Sequence, residues 1–357
     1  MKKTPYSNQK DYAFWDKSVV NLNKEDIDPF IFAKFKINKL QKIATAGSCF
    51  AQHIARHLKK NGFNFYVAER AHSLINEELS LEYGFNDFSA RYGNVYTIRQ
   101  LLQLFQRAFG KFNPHDSAWK SSDGSWVDPF RPRIQPCGFQ SPLELCLDRI
   151  QHLKDVKKMF LNLDVFIFTM GLTECWVSRK DGSVFPLCPG VAGGHFSSKK
   201  YYLSNLSFTE NKHDLVLFIE SLKKINPKAK IILTLSPVPL IATATDNHVL
   251  SATSYSKAVL RCICEEIQAK YKHVIYFPSY EIITGAFNRG TYFASDLRSV
   301  TEEGVEHVMK VFLKHFNGNK THNNKNKIIN ANENFSQKME TLVKVNCDEI
   351  ALGQTKK

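Results

Sequence analysis

The stretch IATAGSCFAQHIARHLKK, residues 43–60, decides the fold. Its first four residues, Ile43 to Ala46, are apolar or small, as in a short buried strand, and a Gly-Ser turn follows them. From Ala51 to Lys60 the apolar residues recur at helical spacing. The stretch therefore predicts a strand, a tight turn and a helix, with Cys49 where the helix opens.

The same unit recurs downstream, because further apolar runs of buried-strand type alternate with helical patterns. The predicted strands are 164–171, 230–237 and 273–277, and the predicted helices are 142–161, 214–224, 251–271 and 301–316. Continuous apolar strands alternating with helices indicate a parallel sheet covered on both faces. With right-handed crossovers, this predicts an α/β fold: a three-layer α/β/α sandwich with a mainly parallel, doubly wound sheet.

Three other regions differ in character from this repeating pattern. Residues 1–40 are predicted to form an N-terminal arm packed on the main domain, which spans 41–316. A loop-rich insertion is predicted at about 70–160, because prolines and glycines crowd 111–142. Residues 317–357 are rich in Asn and Lys, which indicates a flexible tail.

Composition excludes several classes of protein. The 357 residues carry a net charge of +14, but the basic residues are spread along the chain and no nucleic-acid-binding motif accompanies them, so we expect no nucleic-acid partner. None of the eight cysteines forms a CxxC pair, so we expect no metal site. No run of about 18 apolar residues predicts a membrane span, and the N-terminus lacks the apolar core of a signal peptide. These features predict a cytoplasmic protein with reduced thiols.

Cys49 is the residue with the clearest chemical potential. Sites in open parallel sheets gather at the carboxyl ends of the strands. The N–H groups at a helix start are unpaired, and the helix dipole there favours the nucleophilic thiolate. The same N–H groups could hold the oxyanion of a tetrahedral intermediate. The alternative is that Cys49 only packs the turn between the strand and the helix.

Several short motifs carry a family resemblance over roughly residues 10–316. They are GSCFA at 47–51, GLTECW at 171–176, PLCPG at 186–190, SPVP at 236–239, YSK at 255–257 and FPSYE at 277–281. In this set the chain resembles the GSCFA family, which is similar to SGNH/GDSL-type hydrolases. The resemblance implies an SGNH-hydrolase-like, flavodoxin-like sandwich that carries out acyl-ester chemistry.

The resemblance also implies roles for individual residues. Over the Gly-Asp-Ser block of those hydrolases, Gly47 matches the glycine, Ser48 the aspartate and Cys49 the nucleophilic serine. The residues that the resemblance places around the oxyanion are Gly93 and Asn94 from a second block, and Gly171 and Thr173 from a third, where Thr173 stands in place of an asparagine.

The last block departs from the family pattern. SGNH enzymes carry Asp-x-x-His near the C-terminus, but here Asp296 is followed three residues later by Ser299. Either the base comes from elsewhere or the chain does not hydrolyse esters by the usual route. A thiol depends less on a base than a hydroxyl does. The histidines weighed as substitutes are, in order, His248, His307 and His53, with His195 in a glycine-containing loop as a fourth.

Four further residues are interpreted as substrate-binding. Glu174 and Trp176 follow the third block, where a carboxylate could orient a base or bind a sugar hydroxyl, or could cap a helix start. Arg131 and Arg298 are interpreted as recognising an anionic group. Trp176 and the loop aromatics could line a sugar pocket or only pin the loop.

Two functions remain open from the sequence. The first is an O-acyltransferase or esterase that acts on a carbohydrate or surface-polysaccharide precursor, with no permanently bound cofactor and with acetyl-CoA as the candidate acyl donor. The second is a non-catalytic carbohydrate- or nucleotide-sugar-binding protein on a degenerate SGNH fold. The expected partner in both is a small-molecule or saccharide substrate, and the oligomeric state stays undetermined.

Overall fold

The computed structural model describes residues 4–318. The strands are β1 (Ile43–Ala46), β2 (Trp119–Lys120), β3 (Trp126–Val127), β4 (Val165–Met170), β5 (Glu174–Ser178), β6 (Val184–Phe185), β7 (Tyr201–Asn205), β8 (Lys230–Leu235) and β9 (Val274–Phe277). The helices are α1 (Cys49–Lys60), α2 (Glu77–Glu82), α3 (Ile98–Ala108), α4 (Pro142–Asn162), α5 (Phe208–Ile225), α6 (Val249–Lys270), α7 (Ser279–Thr284) and α8 (Glu302–Phe316). Short 3₁₀ or π turns add to these at 11–26 and 286–288.

The central sheet has the order β1-β4-β8-β9, and every pair of neighbouring strands is parallel. On the side of β1 that faces away from β4, the N–H of Ile43 donates to the carbonyl of Asn64 at 3.0 Å. The N–H of Tyr66 in turn donates to the carbonyl of Ile43 at 2.8 Å. The chain therefore builds outward from β1 in both directions. This is the doubly wound arrangement, with its switch point between β1 and β4.

Helices cover both faces of the sheet because strand side chains alternate between the faces. Ala44, Phe166 and Leu233 pack into one apolar cluster with α3, α4, α5 and α6. Ile43 and Ile167 pack into a second cluster with α1, α7 and α8. The predicted three-layer sandwich is confirmed.

A small antiparallel sheet, with the order β6-β5-β7, follows β4 and was not predicted from the sequence. Glu174, considered above as a residue at a helix start, is instead the first residue of β5, where it pairs with Asn205 of β7. The pairing of β5 with β7 joins segments some 30 residues apart, so the sequence between them contains no hairpin turn that would indicate it. Trp119, Phe130, Phe185 and Tyr201 pack together beside this sheet.

The N-terminal segment contributes to the second apolar cluster. Phe30 and Ile37 are buried, and the N–H of Ile37 donates to the carbonyl of Phe316 at 2.7 Å. Within residues 70–160, α3 and α4 belong to the helical layer, and the hairpin β2–β3 lies between them. The predicted tail falls outside the described residues apart from Asn317 and Gly318.

Gly47 fixes the close approach of the turn after β1 to β4. It has a φ of +149°, and a Cβ there would lie 2.7 Å from the carbonyl oxygen of Thr169 and 2.9 Å from the Cβ of Ala51. No ordinary side chain fits at such distances, and the backbone of β4 cannot move without disturbing the sheet.

We therefore predict that Gly47→Ala lowers the free energy of unfolding by about 3 kcal/mol or more, because backbone strain and steric overlap add. Gly110→Ala is the matched control, since Gly110 also has a positive φ, +69°, but a Cβ there meets nothing within 4 Å. We expect the control to lose only about 1–2 kcal/mol. Urea unfolding curves measure both, and equal losses would contradict the packing argument.

Candidate active site

The Cys49 side chain lies where the first strand gives way to its helix, beside the switch point of the sheet. Cys49 is the first residue of α1, and Ser48 before it occupies the N-cap without a side-chain capping bond. The Cys49 side chain is partly exposed, whereas Ser48 is buried. A thiol at a helix start lies within the field of the first-turn N–H groups.

The loop that carries Gly93 and Asn94 lies against this turn. The N–H of Val95 donates to the carbonyl of Gly47 at 2.8 Å. Further along the loop, the carbonyl of Tyr96 accepts from the N–H of Gly171 at 3.0 Å. The loop therefore joins the ends of β1 and β4.

One side chain holds the loop in this shape. Gln100, in the first turn of α3, donates through Nε2 to the carbonyl of Asn94 at 2.7 Å. Its Oε1 accepts from the N–H of Tyr96 at 2.9 Å. Gln100 could not be identified from the sequence, because nothing in its spacing distinguishes it from a solvent-facing helical residue.

A small cavity opens beside this loop. It has a volume of about 40 Å³, and its wall includes Gln52, Gly93 and Asn94, although not Cys49 itself. Gln52 lies three residues after Cys49 and hence about one helical turn away. Gly93 has a φ of +65°, and a Cβ there would meet nothing within 4 Å, so the backbone faces open space. The cavity has room for a few atoms of a ligand.

Thr173 and Gly171 do not present donors to such a ligand. The Thr173 hydroxyl is fully buried between Asn205 Oδ1, to which it donates at 2.6 Å, and Ser256 Oγ at 2.7 Å. The N–H of Thr173 donates to the same Ser256 oxygen at 3.2 Å. Both donors of Thr173 are thus already used, which does not favour the oxyanion role expected for it.

Gly171 has a positioning role in this arrangement. Its N–H is bonded to Tyr96, and its carbonyl accepts from the Nζ of Lys257 at 2.8 Å. Lys257 is almost fully buried in α6. It and Ser256 belong to the YSK motif, so the signal was in the sequence, but their contacts were not predictable from it.

His53 is on α1, four residues after Cys49. Its Nδ1 lies 2.9 Å from Nη2 of Arg56. Because a guanidinium only donates, Nδ1 accepts, and the neutral ring carries its proton on Nε2. Burial and the nearby Arg56 charge lower the pKa of His53 to about 3, so the ring is neutral near pH 7.

His248 and His307 have the same proton arrangement. Nδ1 of the exposed His248 accepts from the N–H of Leu250 at 3.2 Å and caps α6. His307 is buried, and its Nε2–H donates to the carbonyl of Ile27 at 2.8 Å, so its Nδ1 accepts from the Tyr292 hydroxyl at 2.9 Å. Burial lowers the pKa of His307, although the bond to Ile27 opposes this.

A general base needs an imidazole nitrogen with a lone pair that faces the nucleophile. In His53, His248 and His307 that lone pair is already used at Nδ1. These contacts therefore do not favour His248, His307 or His53 as the base.

Asp296 and Ser299 form a closed local unit. Asp296 accepts from the Ser299 hydroxyl at 2.6 Å and from the N–H groups of Arg298 and Ser299 at 3.0 and 2.8 Å. Partial burial opposes ionisation, but these bonds lower the pKa of Asp296 overall. The Nε–H of Arg298 donates to the carbonyl of Pro239 at 3.1 Å, which ties this loop to the one after β8.

The remaining predicted substrate-binding residues have partners within the protein. Glu174 accepts from the Thr243 hydroxyl at 2.8 Å, and the ring of Trp176 packs edge-on against Phe196. Arg131 is buried and pairs with Asp128 and Asp148. The contact with Phe196 gives Trp176 a packing role, as in the loop-pinning alternative for the aromatics.

Among the described residues, no group of His, Cys, Asp and Glu is arranged to hold a metal ion. In residues 4–318 no helix has the length and apolar character needed to cross a bilayer.

No curated protein matches. Among solved structures, a protein described as a candidate platelet activating factor from Streptococcus pneumonia is 15% identical, with 43% of this chain and 59% of that one covered and a TM-score of 0.27. The Clostridium thermocellum family 3 carbohydrate esterase is 14% identical, with 77% and 94% covered and a TM-score of 0.35. The chain thus spans 59% of the length of the first of these proteins. The profile of the GSCFA family matches residues 42–312, so the chain belongs to the GSCFA family.

Proposed function

We propose that this protein is an acyl-transfer enzyme, an O-acyltransferase or esterase, in which Cys49 is the nucleophile. The observation that carries the proposal is the location of the Cys49 side chain, partly exposed at the first residue of α1 and at the carboxyl end of β1. Helix N–H groups favour the thiolate there and can also bind an oxyanion.

The first half-reaction follows from this geometry. The Cys49 thiolate attacks the acyl carbonyl, and the tetrahedral oxyanion lies near the N–H groups of the first turn of α1 and the loop of Gly93 and Asn94. The bond from carbon to the leaving group then breaks, and that group departs with the electron pair. The product is an acyl-thioester on Cys49.

The histidine arrangement limits the leaving group. An alkoxide leaves slowly unless an acid protonates it, but a thiolate, whose conjugate acid has a pKa of about 8.5, leaves without that help. The Nε2–H of His307 is bonded to Ile27, His248 caps α6, and the neutral ring of His53 is a weak acid, so we expect the site to favour thioester donors. We therefore propose acetyl-CoA or a related thioester as the donor, which agrees with a cytoplasmic location.

The second half-reaction transfers the acyl group to water or to a hydroxyl of a saccharide, and the acceptor proton must go to a base. The cavity of about 40 Å³ beside Gln52, Gly93 and Asn94 fits a short acyl chain better than a long one. Without His53, His248 or His307 as a base, we expect this step to limit turnover.

We predict that the protein releases about one equivalent of p-nitrophenol rapidly from p-nitrophenyl acetate and then turns over slowly. Cys49→Ala should remove the burst and lower turnover by about 100-fold or more. Cys146→Ala, which changes an exposed cysteine on α4, is the matched control and should retain both. Equal burst and turnover in wild type and Cys49→Ala would contradict the nucleophile assignment.

A second prediction concerns the missing base. Ser299→His would place an imidazole three residues after Asp296, which already accepts a bond from position 299. We expect steady-state turnover to rise by roughly 10- to 100-fold while the burst amplitude stays the same, because only deacylation gains a base. Ser295→His in the same exposed loop is the control. An unchanged steady-state rate would contradict the proposal that deacylation lacks a base.

The alternative is a non-catalytic carbohydrate- or nucleotide-sugar-binding protein. Two observations favour it. Ser299 stands where SGNH enzymes have the catalytic histidine, and the Nδ1 atoms of the three candidate histidines already accept hydrogen bonds from other groups. If no acyl-enzyme forms and neither activated esters nor thioesters turn over, while saccharide ligands bind, this alternative replaces the first proposal.

A further inference from the structure

A buried charged cluster lies between the loop 128–134, α3 and α4, apart from the Cys49 turn. Its members are Glu69, Arg91, Arg107, Asp128, Arg131, Asp148, Arg149 and His152. Six of the eight are at least nine-tenths buried, and Asp148 and Arg149 are partly exposed. Charges so far from water require partners, because burial penalises each of them strongly.

Most members of the cluster are paired. Asp128 accepts from the Nε–H groups of Arg131 and Arg149 at 3.0 and 3.2 Å, and Asp148 accepts from Arg91 and Arg131 at 2.9 and 2.6 Å. Glu69 pairs with His152 at 2.7 Å and lies 4.0 Å from Arg91. Burial opposes ionisation of Glu69, but the neighbouring His152 and Arg131 lower the pKa of its carboxyl to about 2, so it is a carboxylate.

Arg107 is the exception. Within the part of the chain that the structure describes, it makes no ion pair, and its guanidinium stacks on the Phe130 ring at 3.8 Å from the centroid. Four guanidinium groups thus face three carboxylates, which leaves one buried positive charge in excess. Burial lowers the pKa of Arg107 to about 9, which still leaves it charged near neutral pH.

Three residues of the cluster, Arg107, Arg131 and His152, line one cavity of about 20 Å³, and each has one side-chain nitrogen that makes no hydrogen bond among residues 4–318. These nitrogens are Nη2 of Arg107, Nη1 of Arg131 and Nε2 of His152, and each is buried. Gln100 and Gln103 also line the cavity, but their amides are bound to the backbone at Asn94, Tyr96, Gly182 and Val184. The cavity has room for one or two water-sized groups.

We propose that this cavity binds a small monovalent inorganic anion, chloride or bicarbonate, between Arg107 and Arg131. The two guanidinium nitrogens donate to it, and its charge neutralises the excess positive charge of the cluster. Water alone would fill the space but leave that charge uncompensated.

His152 completes the description of the occupant. Because its Nδ1–H donates to the Glu69 carboxylate, its Nε2 carries the lone pair in the neutral ring. The O–H of bicarbonate could donate to that nitrogen directly, and with chloride a single water between the ion and the ring would do so.

The anion would stabilise a functional loop. Tyr92 and Val95, which flank Gly93 and Asn94, form part of the cavity wall. Arg131 also lines the neighbouring cavity beside Gly93 and Asn94. A bound anion would therefore stabilise the conformation of the loop of Gly93 and Asn94, and this effect does not depend on a catalytic role of the loop.

The test is thermal unfolding of the full-length protein at fixed ionic strength, with sodium gluconate as the reference because gluconate is too large for the cavity. We expect chloride or bicarbonate to raise the Tm saturably by roughly 2–5 °C. Chloride and bicarbonate are titrated separately. The preferred ion is the one whose rise in Tm reaches half its maximum at the lower salt concentration. Equal Tm values in gluconate, chloride and bicarbonate would overturn the proposal.

Arg107→Met keeps the aliphatic bulk and removes the excess charge. We expect it to fold at least as stably as wild type in gluconate and to lose the anion-dependent rise. Arg179→Met, at an exposed arginine stacked on Tyr202, is the control and should keep the rise. An identical rise in Arg107→Met would overturn the assignment.

A second measurement does not depend on any variant. Crystals grown in bromide should show an anomalous peak within hydrogen-bonding distance of Arg107 Nη2 and Arg131 Nη1, unless bicarbonate is the occupant. In that case, crystals grown with bicarbonate should show planar density there. Ordered water alone under both conditions would overturn the proposal.

Discussion

The contact between Gly47 and the backbone of β4 is the constraint on which the site depends. The absence of a side chain lets the turn after β1 approach Thr169 to a distance that no Cβ allows. With the turn in that position, the carbonyl of Gly47 accepts a hydrogen bond from the N–H of Val95. The loop of Gly93 and Asn94 therefore lies beside the start of α1. The location of the Cys49 thiol relative to that loop is therefore a consequence of backbone packing. The thiol itself contributes nothing to it.

The sheet and its helices could be predicted from the sequence because their signals are local. Runs such as Val165–Met170 are fully buried, and their continuous apolar character indicates a parallel strand. The small sheet β6-β5-β7 was not predicted, since β5 and β6 form a hairpin with very short pairing and the third strand, β7, pairs with β5 from a distant segment. Cys49 could be placed from local signals, because a predicted strand precedes it and a predicted helix follows it. The surroundings of Thr173 could not, because its buried hydroxyl bonds to Asn205 and Ser256 from other elements.

Hydrogen bonding decides what the polar residues can do. The residue types alone suggested His248, His307 and His53 as bases, but an Nδ1 that accepts from Leu250, Tyr292 or Arg56 leaves no lone pair on the neutral ring for that task. The interpretation of Arg131 as an anion-binding residue has a different outcome. Arg131 pairs with Asp128 and Asp148, but its Nη1 makes no hydrogen bond within the described part of the chain, and the residue lines a cavity together with Arg107. Charge balance among buried groups appears in no sequence pattern, because it depends on which side chains meet.

The proposed reaction depends most heavily on Cys49 as the residue that accepts an acyl group. Peptide mass spectrometry after brief exposure to acetyl-CoA and an acid quench tests this directly. The account predicts an acetyl group on the peptide that contains Cys49, at a higher occupancy than on the exposed Cys137, Cys146 and Cys262. An acetyl group spread evenly over the exposed cysteines, or absent from Cys49 while the protein turns over substrate, would contradict it.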